Sequence, residues 1–269
     1  MQRRSVLASA LGALGALLAN GCPRAPLEPA RASAPPPAGD KHAPVPSARG
    51  STAAPPPPGP WRPRSEVAVT GGVHGDEPSG ALVLPELEAL GFATFGPCNP
   101  WGVAHHAREL ADGRDLNRSF ARDDVPEVAA VQRFLAARRP ALLLDLHEDR
   151  DAAGGYLIQH GPDDDLGRRI IRALGDEFAI DPEPSFLVVH GEDGVLRPSA
   201  TVLRMVELSR FYGLAFHAWL ALGITTLVVE CPRGWPLAER MRWQRRVVET
   251  AHALLGPPTG AERDARAPR

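Results

Sequence analysis

Lysine is almost missing from this chain of 269 residues: among 30 basic side chains only Lys41 is not an arginine. With 32 acidic residues the formal net charge is −2. No basic excess exists to displace phosphate counterions, which argues against a general nucleic-acid binder. Cysteine is scarce too, at Cys22, Cys98 and Cys231, with no Cys-x-x-Cys, so metal chemistry would have to come from histidine and carboxylate. In an oxidising compartment Cys98 and Cys231 could pair, but two isolated cysteines carry no spacing information. Gly-x-Ser-x-Gly, a Walker-type loop and Gly-x-Gly-x-x-Gly are all absent. The apolar stretch from Ser5 to Ala19 is too short for a comfortable transmembrane span.

What is abundant is proline, 29 residues, of which 14 lie between Pro23 and Pro63. Residues 23–64 are one third proline and otherwise mostly Ala, Gly, Ser and Arg. Such a composition cannot bury enough apolar surface to offset chain entropy and predicts an extended, solvated linker. Residues 256–269 read the same way, as a tail. Residues 1–22 read as an export signal, with Arg3 and Arg4 ahead of the apolar stretch, in a pattern similar to twin-arginine signals. Ala19-Asn20-Gly21 before Cys22 resembles a lipoprotein processing site. The expectation is an exported protein, periplasmic or membrane-anchored through lipid at Cys22, with ordinary cleavage nearby as the alternative. Residues 65–255 remain for one globular domain.

Within that domain, β-branched and apolar runs at Glu66–Thr70, Phe92–Phe95, Ala141–Leu146, Tyr156–Gln159 and Ile224–Val229 predict strands. Helical spacing is found over Pro78–Leu90, Val125–Arg138, Leu166–Glu177, Ala215–Leu222 and Leu237–Leu255. The alternation predicts an α/β fold, a mixed and largely parallel sheet flanked by helices. Ligands of such sheets sit beyond the carboxyl ends of the strands, and the chemically interesting residues fall there.

Four pieces stand out. His74 and Glu77, three apart on a turn entering a helix, can point at one metal ion, and imidazole with carboxylate suits zinc. His147 follows a strand that ends abruptly in Asp145-Leu146, and is a third ligand or a structural histidine. Glu230 ends a buried strand, where an unpaired charge is costly; beside a metal-bound water it would shuttle a proton. Arg108, followed by Asp115-Leu116-Asn117-Arg118, supplies the donors expected where a substrate carboxylate is held. His105-His106 reads as a solvated loop, and Asp163-Asp164-Asp165 as a helix N-terminus.

In this order, these residues resemble the zinc carboxypeptidase (M14) superfamily, including the succinylglutamate desuccinylase/aspartoacylase group. The likeness runs from Val67 to about Pro236, and Arg108, nine before Asn117, is closest to the short bacterial peptidases. The resemblance implies a three-layer sandwich and one Zn²⁺ held by His74, Glu77 and His147, with Asp115 supporting the first histidine. It implies Glu230 as general acid/base, Arg108 as the cation at the oxyanion, and Asn117 and Arg118 as the clamp on a substrate carboxylate. Tyr212, ahead of Trp219 and Glu230, corresponds to a substrate-binding tyrosine, and His217 falls near the floor of the side-chain pocket.

The expected activity is cleavage of an amide bond next to a free carboxylate, by a metallocarboxypeptidase acting on peptides, cell-wall peptides among them. An N-acyl amino acid deacylase is the alternative with the same site. The extra C-terminal β-domain usual in that branch has no counterpart after Leu255. A catalytically inactive peptide-binding lipoprotein is the alternative from another class; such relatives commonly lose a ligand or the glutamate, and here none is missing.

Overall fold

The computed structural model describes residues 63–162, 165–186 and 189–255, all within one compact unit, Pro56–Arg269. The expected signal, most of the linker and the tail lie outside the described residues. Among the described residues no helix is long and apolar enough to cross a membrane.

Eight strands and seven helices are described. The strands are β1 (Val67–Gly71), β2 (Ala93–Phe95), β3 (Leu142–Leu146), β4 (Tyr156–His160), β5 (Ser185–Phe186), β6 (Val189–His190), β7 (Val195–Leu196) and β8 (Thr225–Glu230). The helices are α1 (Pro78–Ala89), α2 (Pro100–His105), α3 (Pro126–Arg138), α4 (Leu166–Leu174), α5 (Ala200–Ser209), α6 (Leu214–Leu222) and α7 (Leu237–Leu254). Six strands form one sheet in the order β2-β1-β3-β8-β4-β7, and β5 and β6 form a separate hairpin. All neighbours in the sheet are parallel except β4, which runs antiparallel to β8. The predicted mixed, largely parallel sheet is the one observed.

Alternate residues of the central strands feed two cores. Val67, Val69, Leu142, Leu144, Leu227 and Val229 face α1, α4 and α7. Ala68 and Leu143 face α3 and α6. Burial on both faces explains why β1 and β3 are apolar runs rather than alternating ones. The closing helix α7 buries Trp243, Val247, Val248 and Ala251, one stripe at helical spacing. Each of the larger of these side chains contributes about 1.5–3 kcal/mol by leaving water.

Register positions the site. Gly71 pairs with Leu146, and Leu146 with Val229, so β1, β3 and β8 end side by side. His74, His147 and Glu230 all leave the sheet at that one edge. Gly80 lets α1 press onto it, since a Cβ there would stand 2.8 Å from the Leu146 carbonyl oxygen.

One expectation, the loop at His105-His106, is corrected, and two other readings are placed. Cys98 and Cys231 are both free and buried; they belong to the two cores on opposite faces of the sheet, which keeps them from pairing. His105 and His106 end helix α2 instead of lying in a loop: Asn99 caps that helix by accepting from the Gly102 N–H at 2.8 Å, and His105 stacks on Trp101. Asp165 does precede α4, while Asp163 and Asp164 lie outside the described residues.

Candidate metal and catalytic site

His74 and Glu77 sit in the tight connection from β1 to α1, and His147 is the first residue after β3. Gly75 makes the first loop possible: its Cβ position lies 1.9 Å from the carbonyl carbon of Gly102, so any side chain would push the loop off α2. Glu77 Oε1 stands 2.8 Å from His74 Nδ1, and Oε2 stands 2.8 Å from His147 Nδ1. The two imidazoles meet edge-on, 5.0 Å between centroids. Among the described residues these three form the single group of His, Cys, Asp or Glu whose ligand atoms all lie within 4.8 Å of one another. All three are buried.

The second nitrogen of each histidine is held by a carboxylate. His74 Nε2 is 3.3 Å from Asp115 Oδ1. His147 Nε2 is 3.0 Å from Asp145 Oδ2, and the Thr70 hydroxyl donates to the other Asp145 oxygen at 2.8 Å. This leaves both Nδ1 atoms facing the Glu77 carboxylate, the arrangement of histidines that bind a metal with one nitrogen and a carboxylate with the other. The donor set, two imidazoles and a carboxylate, fits a borderline divalent cation.

The electrostatics match. Burial alone would depress His147, but Asp145 and Glu77 outweigh it and hold its pKa well above 6.5. His74 is likewise raised, burial being overcome by Glu77 and Asp115. Burial would raise Glu77, yet the two imidazoles hold it well below the ordinary carboxylate range. The triad is a buried concentration of charge that a cation can replace proton for proton.

Glu230 ends β8, and Trp243 Nε1 donates to its backbone oxygen at 3.0 Å. Its side-chain Oε2 is buried with no hydrogen-bond partner. Burial pushes this carboxyl up to about 8; His147 opposes the shift, and Glu77 and Asp149 add to it. Tyr156 stands directly across from Glu230 on β4 and donates its hydroxyl to Asp149 Oδ2 at 2.8 Å.

Arg108 donates through Nε and Nη2 to Asp115 Oδ2, at 3.2 and 3.1 Å, and its Nη1 lies 3.4 Å from Glu77 Oε1. It therefore borders the triad. Arg118 is half-buried, and desolvation lowers its pKa, a cation partly stripped of water. Its Nη1 donates to the Asn117 carbonyl at 2.8 Å, and its guanidinium lies over the exposed Phe186 ring, 5.9 Å away. The Asn117 side-chain oxygen accepts from the Leu214 N–H at 3.0 Å, which fastens the start of α6 to the arginine segment. Tyr212 stands just before that helix and tilts against Phe216, 5.0 Å between centroids. His217 faces Gln132 on α3 at 3.3 Å.

Sequence reasoning missed Asp145, Arg233, Glu148 and Arg240. Arg233 pairs with Asp76 at 2.9 Å and lies 3.6 Å from Glu77 Oε1. Asp145 carried a signal, a single acid in an otherwise apolar buried strand two residues before a histidine. Glu148 and Arg240 carried none, being 92 residues apart in the chain.

Comparison with solved structures shows the fold. A candidate metallopeptidase from Shewanella denitrificans superposes with a TM-score of 0.57 at 18% identity, over 71% of this chain and 75% of that one. Its counterpart from Shewanella amazonensis gives 0.55 at 19%, over 72% and 78%. A D,L-carboxypeptidase of Helicobacter pylori in its mDAP-bound form gives 0.52 at 17%, over 71% and 51%. The chain thus has the carboxypeptidase-like fold that its motifs imply. No family model matches it. In sequence it is 28% identical over 127 residues to an N-acyl-aromatic-L-amino acid amidohydrolase (carboxylate-forming) of Xenopus laevis, a match covering 44% of this chain and 41% of that enzyme.

Proposed function

We propose that this chain is a zinc metallohydrolase of carboxypeptidase type, cleaving an amide bond next to a free carboxylate. One observation carries the reading: the His74–Glu77–His147 triad converges at the strand edge where Glu230 presents a buried, unpartnered carboxylate oxygen. Zinc on the triad would supply Lewis acidity and a water acidic enough to be deprotonated near neutral pH. Glu230 takes the proton of the attacking water and returns it to the leaving amine. Positive charge on the neighbouring triad favours its ionised form and opposes the upward pull of burial. Arg108 donates to the oxygen that becomes negative, and Arg118 with the Asn117 amide holds the substrate carboxylate.

Cell-wall peptides are the proposed substrates. Residues 1–22 read as an export signal, and the D,L-carboxypeptidase fold relative supports that class. On this reading the domain works outside the cytoplasm, free or tethered by lipid at Cys22. A second reading, an N-acyl amino acid deacylase, is favoured by the sequence match to the amphibian amidohydrolase. A panel of free-acid peptides, muropeptides and N-acyl amino acids separates the two.

The mechanism is tested by Glu230→Gln. The expected outcome is unchanged zinc content and hydrolysis lowered by about 10²–10⁴-fold, the contribution typical of a positioned general base. Full hydrolysis in that variant overturns the assignment.

A further inference from the structure

Helix α1 begins with its N-cap residue already engaged. The N-cap is Glu77, and its side chain makes no capping hydrogen bond. Both its oxygens are instead turned to His74 and His147. Pro78 at the first helical position has no N–H, so the first orphan donor of the helix is the Ser79 N–H. In an ordinary helix the N-cap side chain would accept it.

Here Glu148 accepts it. Its Oε1 lies 2.8 Å from the Ser79 nitrogen, while its own backbone N–H donates to Glu77 Oε2 at 3.2 Å. Glu148 thus donates to the N-cap carboxylate with its backbone and accepts the second helical N–H with its side chain, from 71 residues away in the chain. The Glu148 side chain is completely buried, and Arg240 on α7 pairs with its Oε2. From the same helix, Gln244 Nε2 donates to the His147 carbonyl at 3.2 Å.

We propose that Glu148 is a positioning residue that caps α1 in place of Glu77 and so frees the Glu77 carboxylate for the metal, with Arg240 compensating the buried charge. The inference rests on the triad being a metal site. Without the Glu148 carboxylate, Glu77 as the N-cap residue is the side chain placed to turn back onto the Ser79 N–H, and turning there would withdraw it from the two histidines. Glu148→Gln keeps an acceptor oxygen for Ser79 while losing the charge partner of Arg240. The two consequences, capping and charge compensation, therefore separate between variants.

The test is zinc affinity of the full chain, measured by competition with a chromophoric chelator, alongside thermal melts of the chelated protein. Glu148→Ala should weaken zinc binding by about 10–100-fold, the usual effect of removing a group that orients a ligand. Glu148→Gln and Arg240→Met should melt earlier but bind zinc within about threefold of wild type, since the cap survives in both. If Glu148→Ala fails to fold, Glu148→Asp, whose shorter carboxylate cannot reach Ser79, should show the weakened affinity. Equal weakening in Glu148→Gln and Glu148→Ala would mean that affinity merely follows stability and would overturn the proposal. So would unchanged affinity in both Ala and Asp variants. A wild-type chain that binds no zinc overturns the metal site itself along with it.

Discussion

If the proposed function is right, replacing Arg118 by methionine should abolish the preference for substrates that carry a free carboxylate. The side chain is half-buried, and desolvation already lowers its pKa, so little further water need be removed when an anion arrives. One nitrogen, Nη1, is committed to the Asn117 carbonyl at 2.8 Å, so on the proposed function a substrate carboxylate would take the remaining donors. A hydrogen bond to a charged group contributes about 1.5–3 kcal/mol. Two from one edge, discounted for partial exposure and the Asn117 commitment, come to about 3–4 kcal/mol, or roughly 100–1,000-fold in kcat/KM. Methionine keeps the apolar stem against Phe186, so packing changes little. The assay compares kcat/KM for a peptide ending in a free carboxylate with that for its C-terminal amide. Wild type should prefer the acid by about that factor, and Arg118→Met should lose the preference by slowing on the acid alone. If the variant retains the wild-type preference, the carboxylate is held elsewhere and the carboxypeptidase reading loses its clamp.

Two predictions concern pH. Burial holds His160 at about 4 against an ordinary 6.5, so the folded state binds its proton later than the unfolded chain does. Its contribution is intact above 6.5 and is lost as pH falls through 4, up to about 3 kcal/mol, so denaturant melts between pH 7 and 4 should show an acid limb that His160→Gln flattens. His74 and His147 are shifted the other way, so in the chelated protein their stabilising contribution is complete below 6.5 and lost as pH rises through the raised values. The melting temperature of the chelated chain should therefore fall on the alkaline side, zinc should bind more tightly there, and calorimetry in buffers of different ionisation enthalpy should detect protons released on binding.

Most of this site was legible in the sequence because it is built at strand ends. A run such as Leu142–Leu146 followed by His147 states both where a strand stops and what it presents there. The His74-x-x-Glu77 spacing survives because it is local. The helices and strands between 178 and 213 were not legible: α5 buries none of its residues and β5, β6 and β7 are two residues each, too short for any period to register. Helix α2 was not legible either, being six residues long, although Asn99 followed by Pro100 is an N-cap with a first-turn proline. Contacts between distant segments were beyond reach for a different reason. Glu148 beside His147 looks like one more rim acid until α7 brings Arg240 to it.

The buried carboxylates sort by compensation. Glu77 has two imidazoles, Asp145 has Thr70 and His147, and Glu148 has Ser79 and Arg240. Glu230 alone of these ends in a buried oxygen with no partner. A folded chain tolerates such a group by keeping it protonated, which is what a carboxyl near pKa 8 does at neutral pH. A divalent cation on the triad would keep positive charge in place there at a pH where the imidazoles alone have lost their protons, and would then favour the ionised carboxylate. On the proposed function, metal binding and ionisation of Glu230 would then be linked on the alkaline side, where the cation stands in for the lost imidazole protons.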